Sequence, residues 1–340
     1  MIIKRLIYIP YYLIRTKWNL FFRYSGFVKK KKKISYFRLY KDVIYTMLKH
    51  NASPLDYFSF RFYDLPEEEW DNYPCTGFMY EYQLKMNPKD QRMVLHDKIN
   101  FLTLFNDFSG RKWTTLATLK SNKQFAIQFL REAGEKLVLK NSTGGAGKQV
   151  EVIAIPSDIP ESVIKIMEAN HFDLAEHYVV QHDALMKLSP SALNTIRIVT
   201  QYLDGRAIIL LAFLRISVNS SVDNLSVGHY GVNFGAAIDI ETGVIYGPGV
   251  YLDITKPDVY YHPVTHTPII GFEIPHWGKC KEIVIKAAML TPGNRSIGWD
   301  VAVTNEGAVL IEGNHNWNLL SMSPGQRGYK KEFLQYSSMI

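Results

Sequence analysis

Apolar residues recur at helical spacing in several separate stretches of the chain. From Ser35 to Asn51 the apolar positions fall three and four residues apart, which predicts an amphipathic helix. The same periodicity predicts a helix from Ser121 to Gly134, with Phe125 and Phe129 on one face and the glycine at its end. Further helices are predicted at residues 97–107, 158–170 and 279–290.

Strand patterns dominate the second half of the chain. The segments KLVLK (136–140) and QVEVIAI (149–155) flank a glycine-rich loop and predict a β-hairpin. From residue 195 onward, apolar segments pair around turn sequences, and Asp204-Gly205 is a strong hairpin signal. Further turns are expected at 241–243 and 305–307, and a further strand at 177–181. Helices that alternate with antiparallel hairpins favour an α+β fold over a parallel doubly wound sheet.

These changes in pattern predict five regions. A basic, mostly helical region comes first. A linking part, a subdomain with the glycine loop, a larger C-terminal lobe and a short tail follow it. The predicted bounds, in chain order, are 1–60, 61–135, 136–185, 186–328 and 329–340.

Composition narrows the class of protein. With 340 residues, 47% of them hydrophobic and 21% charged, the chain can bury a large core. No run of eighteen apolar residues occurs, so no membrane-spanning helix is predicted. Cys75 and Cys280 have neither the spacing of a metal site nor that of a disulfide scaffold, which favours the reducing cytoplasm.

Positive charge is concentrated early in the sequence. The formal charge is +7, and Lys29 to Lys33 form an unbroken run. No nucleic-acid recognition motif accompanies this run, so no nucleic-acid partner is expected. Two interpretations remain for residues 1–33: an amphipathic basic surface that touches an anionic membrane at its inner face, or helices docked on the body with solvated lysines.

A glycine-rich loop separates the two strands of the first hairpin. Gly144, Gly145 and Gly147 let backbone N–H groups approach phosphate oxygens, and Lys148 adds positive charge. The loop leads into a strand, so it is neither a Walker loop nor a dinucleotide fingerprint. Lys140 ends the preceding strand and is placed to reach the same phosphate. Taken alone, the pattern also fits a mobile turn.

Two carboxylates lie on the arms of the last predicted hairpin. Asp300 and Glu312 are twelve positions apart with the turn midway, so they are expected opposite each other. Asn314 follows two residues later and points to the same face. Two carboxylates and an amide oxygen are a hard-oxygen set that suits Mg²⁺ with substrate phosphates. The alternative is a salt-bridged pair near the end of a sheet.

These motifs occur in one order: Asp97-Lys98 before a helix, a strand that ends in lysine, a glycine loop, then Asp and Glu-x-Asn on a late hairpin. In this order the chain resembles the ATP-grasp superfamily, and more closely the sugar-transfer-associated ATP-grasp proteins encoded among surface-polysaccharide genes. The resemblance covers roughly residues 90 to 328. The closer match is carried by NTIRIVT (194–200), DNLSVGHYGVNFGAAIDIETG (223–243), HPVTHTPIIGFEIPHW (262–277) and IGWDVAVTNEGAVLIEGNHNWN (297–318).

The resemblance implies two α+β lobes that grip ATP, behind the helical basic N-terminal region. The implied ATP-binding residues are Lys98, Lys140, Gly144, Gly145, Gly147 and Lys148 for the phosphates, Val179, Val180 and Gln181 for adenine, and His182 or Asp183 for the ribose. Asp300, Glu312 and Asn314 would hold Mg²⁺.

The sequence departs from the family pattern at an arginine, and the hinge also lacks the usual run of glutamates. In ligases of the superfamily this arginine steadies the acylphosphate and the tetrahedral intermediate, and it stands two residues before the first metal aspartate. That position is Gly298 here. Arg197, Arg215 and Arg295 are the candidates to replace it.

The resemblance implies an ATP-dependent carboxylate–amine ligase that acts through an acylphosphate. Its partners would be a small-molecule carboxylate and an amine, related to a sugar or an amino acid, in surface-polysaccharide synthesis. Two alternatives stay open. One is an ATP-grasp kinase that phosphorylates a sugar hydroxyl, and the other is a non-catalytic ATP-binding partner of a glycosyltransferase complex.

Overall fold

The structure is a computed structural model that describes residues 8–144, 149–155, 160–227, 231–318 and 328–339. In these ranges no helix combines the length and the apolar character that crossing a membrane requires. Helices and antiparallel strands alternate, so the predicted α+β class is confirmed.

The helices before the first strand are α1 (Tyr8–Arg15), α2 (Trp18–Lys32), α3 (Tyr36–His50), α4 (Asp56–Ser59), α5 (Thr76–Met86), α6 (Met93–His96), α7 (Lys98–Leu104) and α8 (Asn106–Ser109). The remaining helices are α9 (Leu116–Ser121), α10 (Lys123–Glu132), α11 (Glu161–Ala169), α12 (Asp183–Leu188), α13 (Trp277–Leu290) and α14 (Lys330–Ser338). The strands are β1 (Trp113–Thr115), β2 (Lys136–Lys140), β3 (Val150–Ala154), β4 (Leu174–His177), β5 (Ile196–Leu203), β6 (Arg206–Ile216), β7 (Phe234–Ile238), β8 (Ser296–Val303) and β9 (Ala308–Asn314).

The N-terminal helices share an aromatic core that extends to Cys75. The helix predicted at 35–51 is confirmed as α3. Ser35 caps it by accepting a hydrogen bond from the Arg38 N–H at 3.2 Å. Asn51 ends it in the left-handed conformation. The helical character predicted for this region therefore follows from capping and from a buried aromatic face.

The small sheet has the strand order β1-β4-β2-β3, and all its pairs are antiparallel. The predicted β2–β3 hairpin is confirmed, with Lys140 opposite Val150. The helix predicted at 121–134 is confirmed as α10, which begins at Lys123 because the Asn122 side chain accepts from the Phe125 N–H at 3.0 Å and caps it.

The prediction of a strand at 177–181 was wrong, because the strand there is β4, Leu174–His177. β4 ends at His177, whose partner in β2 is Leu137. Beyond this point the chain leaves the small sheet: the His182 N–H donates to the Val303 carbonyl at 2.7 Å, in the large sheet. Hydrophobic pattern alone extended the strand into this connection.

The large sheet has the order β7-β6-β5-β8-β9 and is also antiparallel throughout. The hairpins predicted at Asp204-Gly205 and at 305–307 are confirmed. At 241–243 the chain does turn, but the segment after it pairs with β7 through isolated bridges, Ile238 with Ile245 and Gly235 with Val250, and forms no regular strand. Asp239 closes this turn by accepting from the Thr242 N–H at 2.8 Å.

Alternation along the strands of the large sheet decides which side chains face the cavity. Ile196 and Ile198 of β5 are buried in the core that α13 covers, together with Trp299 of β8. Arg197 and Asp300 alternate with these residues, so they point to the opposite face. That face looks toward the small sheet, and the candidate site lies there.

Candidate functional site

A cavity of about 390 Å³ lies between the two sheets. Lys140 and Glu176 line it from the small sheet, and Arg215, Asp300 and Glu312 line it from the large sheet. The sequence places these residues far apart, and the antiparallel registers bring them together. A volume of this size is ordinary for a small-molecule site.

Lys98 lies at the start of α7 and reaches the glycine loop. Its Nζ donates to the carbonyl oxygens of Asn141 at 3.1 Å and Ser142 at 3.4 Å, and also to that of Gly144. Asp97 caps the helix by accepting from the Asn100 N–H at 2.9 Å, which fixes the direction in which the lysine leaves it. Burial lowers the pKa of Lys98. Lys98 is therefore a partly desolvated cation on the cavity wall.

Lys140 belongs to a buried charge network. Its Nζ lies 2.8 Å from Glu176 Oε1, and Arg111 Nε lies 2.5 Å from the other carboxylate oxygen. Burial alone would raise the pKa of Glu176, but the charges of Arg111 and Lys140 outweigh it and lower the pKa to about 2. Arg111 also donates to the Leu310 carbonyl of β9 at 2.7 Å, so the network connects the two sheets.

Asp300 is held by two arginines. Arg197 Nε and Nη2 donate to its two oxygens at 2.6 and 3.1 Å, a bidentate contact. Arg215 Nη1 donates to Oδ2 at 3.1 Å. The strand registers explain this arrangement, because Arg197 lies directly opposite Asp300 on neighbouring strands. Although burial acts to raise it, the pKa of Asp300 is lowered by the two guanidiniums.

Glu312 lies directly opposite Asp300 across the β8–β9 ladder, as predicted. Its partner is Asn314, whose Nδ2 donates to Oε1 at 3.0 Å. Within the described residues it forms no ion pair. Burial and the neighbouring charge of Asp300 raise the pKa of Glu312. The salt-bridge alternative thus describes Asp300 but not Glu312.

The donor set suits a hard cation that takes few ligands from the protein and completes its coordination with water and phosphate oxygens. In the described part of the chain, no group of three or more His, Cys, Asp and Glu side chains could hold a metal. Glu312 supplies a carboxylate that forms no ion pair among the described residues, whereas Asp300 would have to exchange at least one arginine hydrogen bond for a metal. Asn314 offers an amide oxygen after rotation of its side chain, since amide N and O exchange places on such a rotation. These residues fit Mg²⁺ that also binds phosphate oxygens.

The predicted adenine segment lies beside a second cavity. This cavity measures about 420 Å³ and shares Lys136, Tyr178 and Val179 with the first. Val180 and Gln181 also line it. The Gln181 side chain is committed to the protein, because its Oε1 accepts from the Asn194 N–H at 3.0 Å and its Nε2 donates to Ser189. Any ligand contact of Gln181 would therefore use the backbone.

His182 lies at the start of α12 and has a structural role. Its Nδ1 accepts from the Ala184 N–H at 3.0 Å, so the ring caps this helix. Neither cavity is lined by His182. The family resemblance implied that His182 or Asp183 contacts the ribose of ATP, and this contact stays a prediction.

One of the predicted arginines, Arg295, is not brought to the site. Arg295 precedes β8 and is five residues from Asp300, which places it about 16 Å along the strand. Its backbone pairs with Met86 and Tyr202. Gly145, Gly147 and Lys148 lie outside the described residues. Gly144 is described and lines the first cavity.

Sequence reasoning missed Glu176, Arg111 and Asp223. Glu176 carried a usable signal, an acid among apolar residues in a strand, but the strand was predicted three residues too late. Asp223 lines the cavity and accepts from the Thr195 N–H at 2.7 Å and from its hydroxyl at 2.5 Å. Burial raises the pKa of Asp223. Arg111 follows a glycine in a loop and carried no such signal.

The solved structures that are similar to this chain include two ligases and a synthetase. The ATP-grasp ligase PsnB, complexed with precursor peptide PsnA2 and AMPPNP, is 12% identical with a TM-score of 0.43, and the match covers 74% of this chain and 62% of that one. D-alanyl-alanine synthetase A from Vibrio cholerae O1 biovar eltor is 13% identical, with a TM-score of 0.41 and coverage of 72% and 65%. An L-amino acid ligase from Bacillus licheniformis is 10% identical, with a TM-score of 0.39 and coverage of 65% and 40%.

This chain thus spans about three fifths of the length of the PsnB chain. No curated protein matches it. The sequence model described as sugar-transfer associated ATP-grasp matches residues 78–334, about three quarters of the chain. The chain therefore belongs to the sugar-transfer-associated ATP-grasp family.

Proposed function

We propose that this protein is an ATP- and Mg²⁺-dependent ligase that joins a carboxylate to an amine through an acylphosphate. One observation carries the proposal: the guanidinium group of Arg215 lines the same cavity as Lys98 and Lys140, and the buried Arg197 joins Arg215 on the shared Asp300 at the cavity wall. Two lysines suffice to bind the phosphates of a nucleotide. The arginines provide a second cationic group for a reacting carboxylate and its acylphosphate.

ATP would occupy the two adjoining cavities described above, because lysines line the first and apolar residues line much of the second. Lys98 and Lys140 would bind its phosphates, with Gly144 at the start of the covering loop. The adenine would lie in the adjoining cavity beside Val179, and Tyr178 and Lys136 stand at the junction of the two. Mg²⁺, held by Asp300, Glu312 and Asn314, would neutralise phosphate charge when bound.

The reaction proceeds in two balanced steps. A carboxylate oxygen of the substrate attacks the γ-phosphorus of ATP, the bond to the β-phosphate oxygen breaks, and ADP leaves. The amine nitrogen then attacks the acyl carbon, inorganic phosphate leaves, and the amine gives its proton to solvent. The contribution of the protein is positioning and neutralisation of charge at Lys98, Lys140, Arg197 and Arg215.

Arg197 is the arginine we assign to the intermediate. A Cβ at Gly298 would lie 2.5 Å from Trp317 Cβ and 3.1 Å from Arg197 Cδ, so the side chains of Trp317 and Arg197 together fill the space above this glycine. An arginine from β5 therefore stands where relatives would place one from β8. Arg215 supports it through the shared Asp300.

The substrates we propose are a sugar or amino-acid carboxylate and an amine used in surface-polysaccharide synthesis. The family description supports this assignment. We place the reaction in the cytoplasm. Cys75 and Cys280 are both buried and free, which suits a reducing compartment.

The test is Mg²⁺-dependent ADP release with a panel of sugar acids and amino acids, each with and without hydroxylamine. Hydroxamate formed by the wild type, and reduced in Asp300→Asn and Glu312→Gln at a Mg²⁺ concentration that just saturates the wild type, would establish acylphosphate chemistry. Arg197→Met should lower turnover about 100-fold or more while nucleotide affinity changes little. Arg295→Met is the matched control and should retain activity within about threefold.

Two results would contradict the ligase. A stable phosphorylated sugar without hydroxamate would show a kinase. Nucleotide binding without turnover on a panel that includes glycan-linked carboxylates would favour a non-catalytic partner of a glycosyltransferase complex.

A further inference from the structure

Charge is divided unequally between the N-terminal helices and the rest of the chain. Residues 8–50 contain eleven lysines and arginines and one acid, Asp42, for a net charge of +10. Residues 51–340 contain 26 basic and 31 acidic residues, for a net charge of −5. The body therefore does not attract polyanions as a whole, whereas this helical segment does.

Only part of this positive charge is neutralised within the protein. Lys31 and Lys32 share Asp64 at 3.2 and 3.0 Å. Lys17, Lys30, Lys33 and Lys41 form no ion pair with any residue that the structure describes, and all four are exposed.

The same segment exposes large apolar side chains. Ile14 is 82% exposed, Phe22 58% and Phe37 83%. Trp18 joins α1 to α2, because its Nε1 donates to the Leu13 carbonyl at 2.9 Å. Scattered single apolar residues are normal on a surface, but these occur within three consecutive helices.

Ring contacts make this surface continuous from α2 to α3. Trp18 lies 5.3 Å from Phe21, which stacks on Tyr40 at 5.7 Å, and Tyr40 stacks on Tyr36 at 5.6 Å. Lys29 Nζ lies 4.4 Å above the Tyr36 ring. Aromatic and cationic groups therefore interleave along one surface.

α3 continues this surface. Phe37, Lys41 and Ile44 are spaced by four and three residues, which places them on one side of the helix. Phe37 and Ile44 are exposed, and Lys41 stands between them. We call the exposed residues Ile14, Trp18, Phe22, Phe37 and Ile44, with Lys17, Lys30, Lys33 and Lys41, the basic–aromatic face.

The other side of the helices is docked on the body. Arg23 pairs with Asp253 at 2.6 Å, and the Tyr24 hydroxyl donates to the Leu252 carbonyl at 3.2 Å. Ile254 enters the aromatic core of this region. The two interpretations of residues 1–33 are therefore compatible, since docking uses one side and leaves the basic–aromatic face outward.

We propose that the basic–aromatic face binds the surface of an anionic lipid membrane. A phosphate-rich partner accounts for the uncompensated lysines, but nucleic acid does not account for Ile14, Phe37 and Ile44. A lipid interface accepts both, because apolar side chains enter the acyl boundary while lysines remain at the headgroups. Binding of this kind needs no nucleotide and is independent of the ligase activity.

The test is flotation of the full chain with neutral phosphatidylcholine vesicles and with vesicles that contain about 30% phosphatidylglycerol. Binding is expected to the anionic vesicles only and to weaken as salt screens the charges. Lys30→Gln with Lys33→Gln should lower the partition coefficient about tenfold or more. Phe22→Ser with Phe37→Ser should lower it to a similar extent.

Matched controls separate this face from general surface effects. Lys120→Gln with Lys123→Gln removes two exposed lysines elsewhere, and Tyr260→Ser removes an exposed ring on the body; neither should change binding. Circular dichroism and ADP release without vesicles should be unaltered in every variant.

Four results would overturn the proposal. They are no binding to anionic vesicles, equal binding to neutral ones, unchanged binding in both paired variants, and binding to duplex RNA in place of vesicles. A dimer that forms through this face and is lost in the phenylalanine variant, without vesicle binding, would also overturn it, because the occupant would then be a second copy of the chain.

Discussion

Replacing Glu176 with glutamine removes the negative charge that binds Arg111 and Lys140 between the sheets. The exposed fractions of the Arg111 and Glu176 side chains are 3% each, and that of Lys140 is 12%. Water has little access to Arg111 and Lys140, so it cannot replace the carboxylate as their partner. Glu176→Gln keeps the shape of the side chain, so the change isolates the charge.

The expected loss of unfolding free energy at pH 7 is about 3–5 kcal/mol, the usual cost of removing one partner of a buried ion pair. Urea unfolding followed by circular dichroism measures it. Glu132→Gln is the matched control, because Glu132 pairs with Lys112 at 2.7 Å at the surface. That variant should lose less than about 1 kcal/mol.

The pH dependence of the unfolding free energy tests the same prediction independently. The pKa of Glu176 is about 2 in the folded protein and near 4.5 in the unfolded chain. The carboxylate therefore stabilises the fold above about pH 4.5, and this contribution, on the order of 3 kcal/mol, is lost as the pH falls toward 2. The difference between wild type and Glu176→Gln should shrink over this window. A difference below about 1 kcal/mol, or one that does not change with pH, would refute the reasoning.

Three further outcomes are expected. Lys98→Met should weaken nucleotide binding about 10- to 100-fold in a fluorescence titration, whereas Lys120→Met, at an exposed site, should not; equal effects would contradict a phosphate-binding role. Gly298→Ala should displace Trp317 and Arg197 and lower turnover with a loss of about 1–3 kcal/mol in stability, and full activity would count against the assigned arginine. Glu312→Gln should leave the unfolding free energy at pH 7 unchanged or higher, because its raised pKa marks a strained charge, while the Mg²⁺ concentration for half-maximal activity rises about tenfold or more; an unchanged Mg²⁺ requirement would contradict the metal assignment.

Local pattern was sufficient wherever a short range of sequence decides the structure. The hairpin at Asp204-Gly205 and the pairing of Asp300 with Glu312 follow from turn residues and from the two-residue repeat of a strand. The capped helix after Ser35 follows from a single side-chain acceptor. These features need no knowledge of the rest of the chain.

Contacts between distant strands could not be predicted in this way. Arg197 reaches Asp300 because β5 and β8 are neighbours with a fixed register, 103 residues apart in sequence. Arg111 meets Glu176 because β1 and β4 lie side by side, although the sequence between them contains a hairpin and several helices. The end of β4 was missed for the same reason, since a strand stops where its partner stops.

The ammonium group of Lys98 has three N–H donors, and three carbonyl oxygens of residues 141, 142 and 144 accept from it. A phosphate oxygen can therefore bind this lysine only when at least one carbonyl is released. Nucleotide binding would therefore exchange a lysine–carbonyl hydrogen bond for a lysine–phosphate one, and it would release the start of the glycine loop at the same time. The affinity lost in Lys98→Met would then understate the strength of the lysine–phosphate contact, because the same substitution also removes the competing bonds that the nucleotide must break.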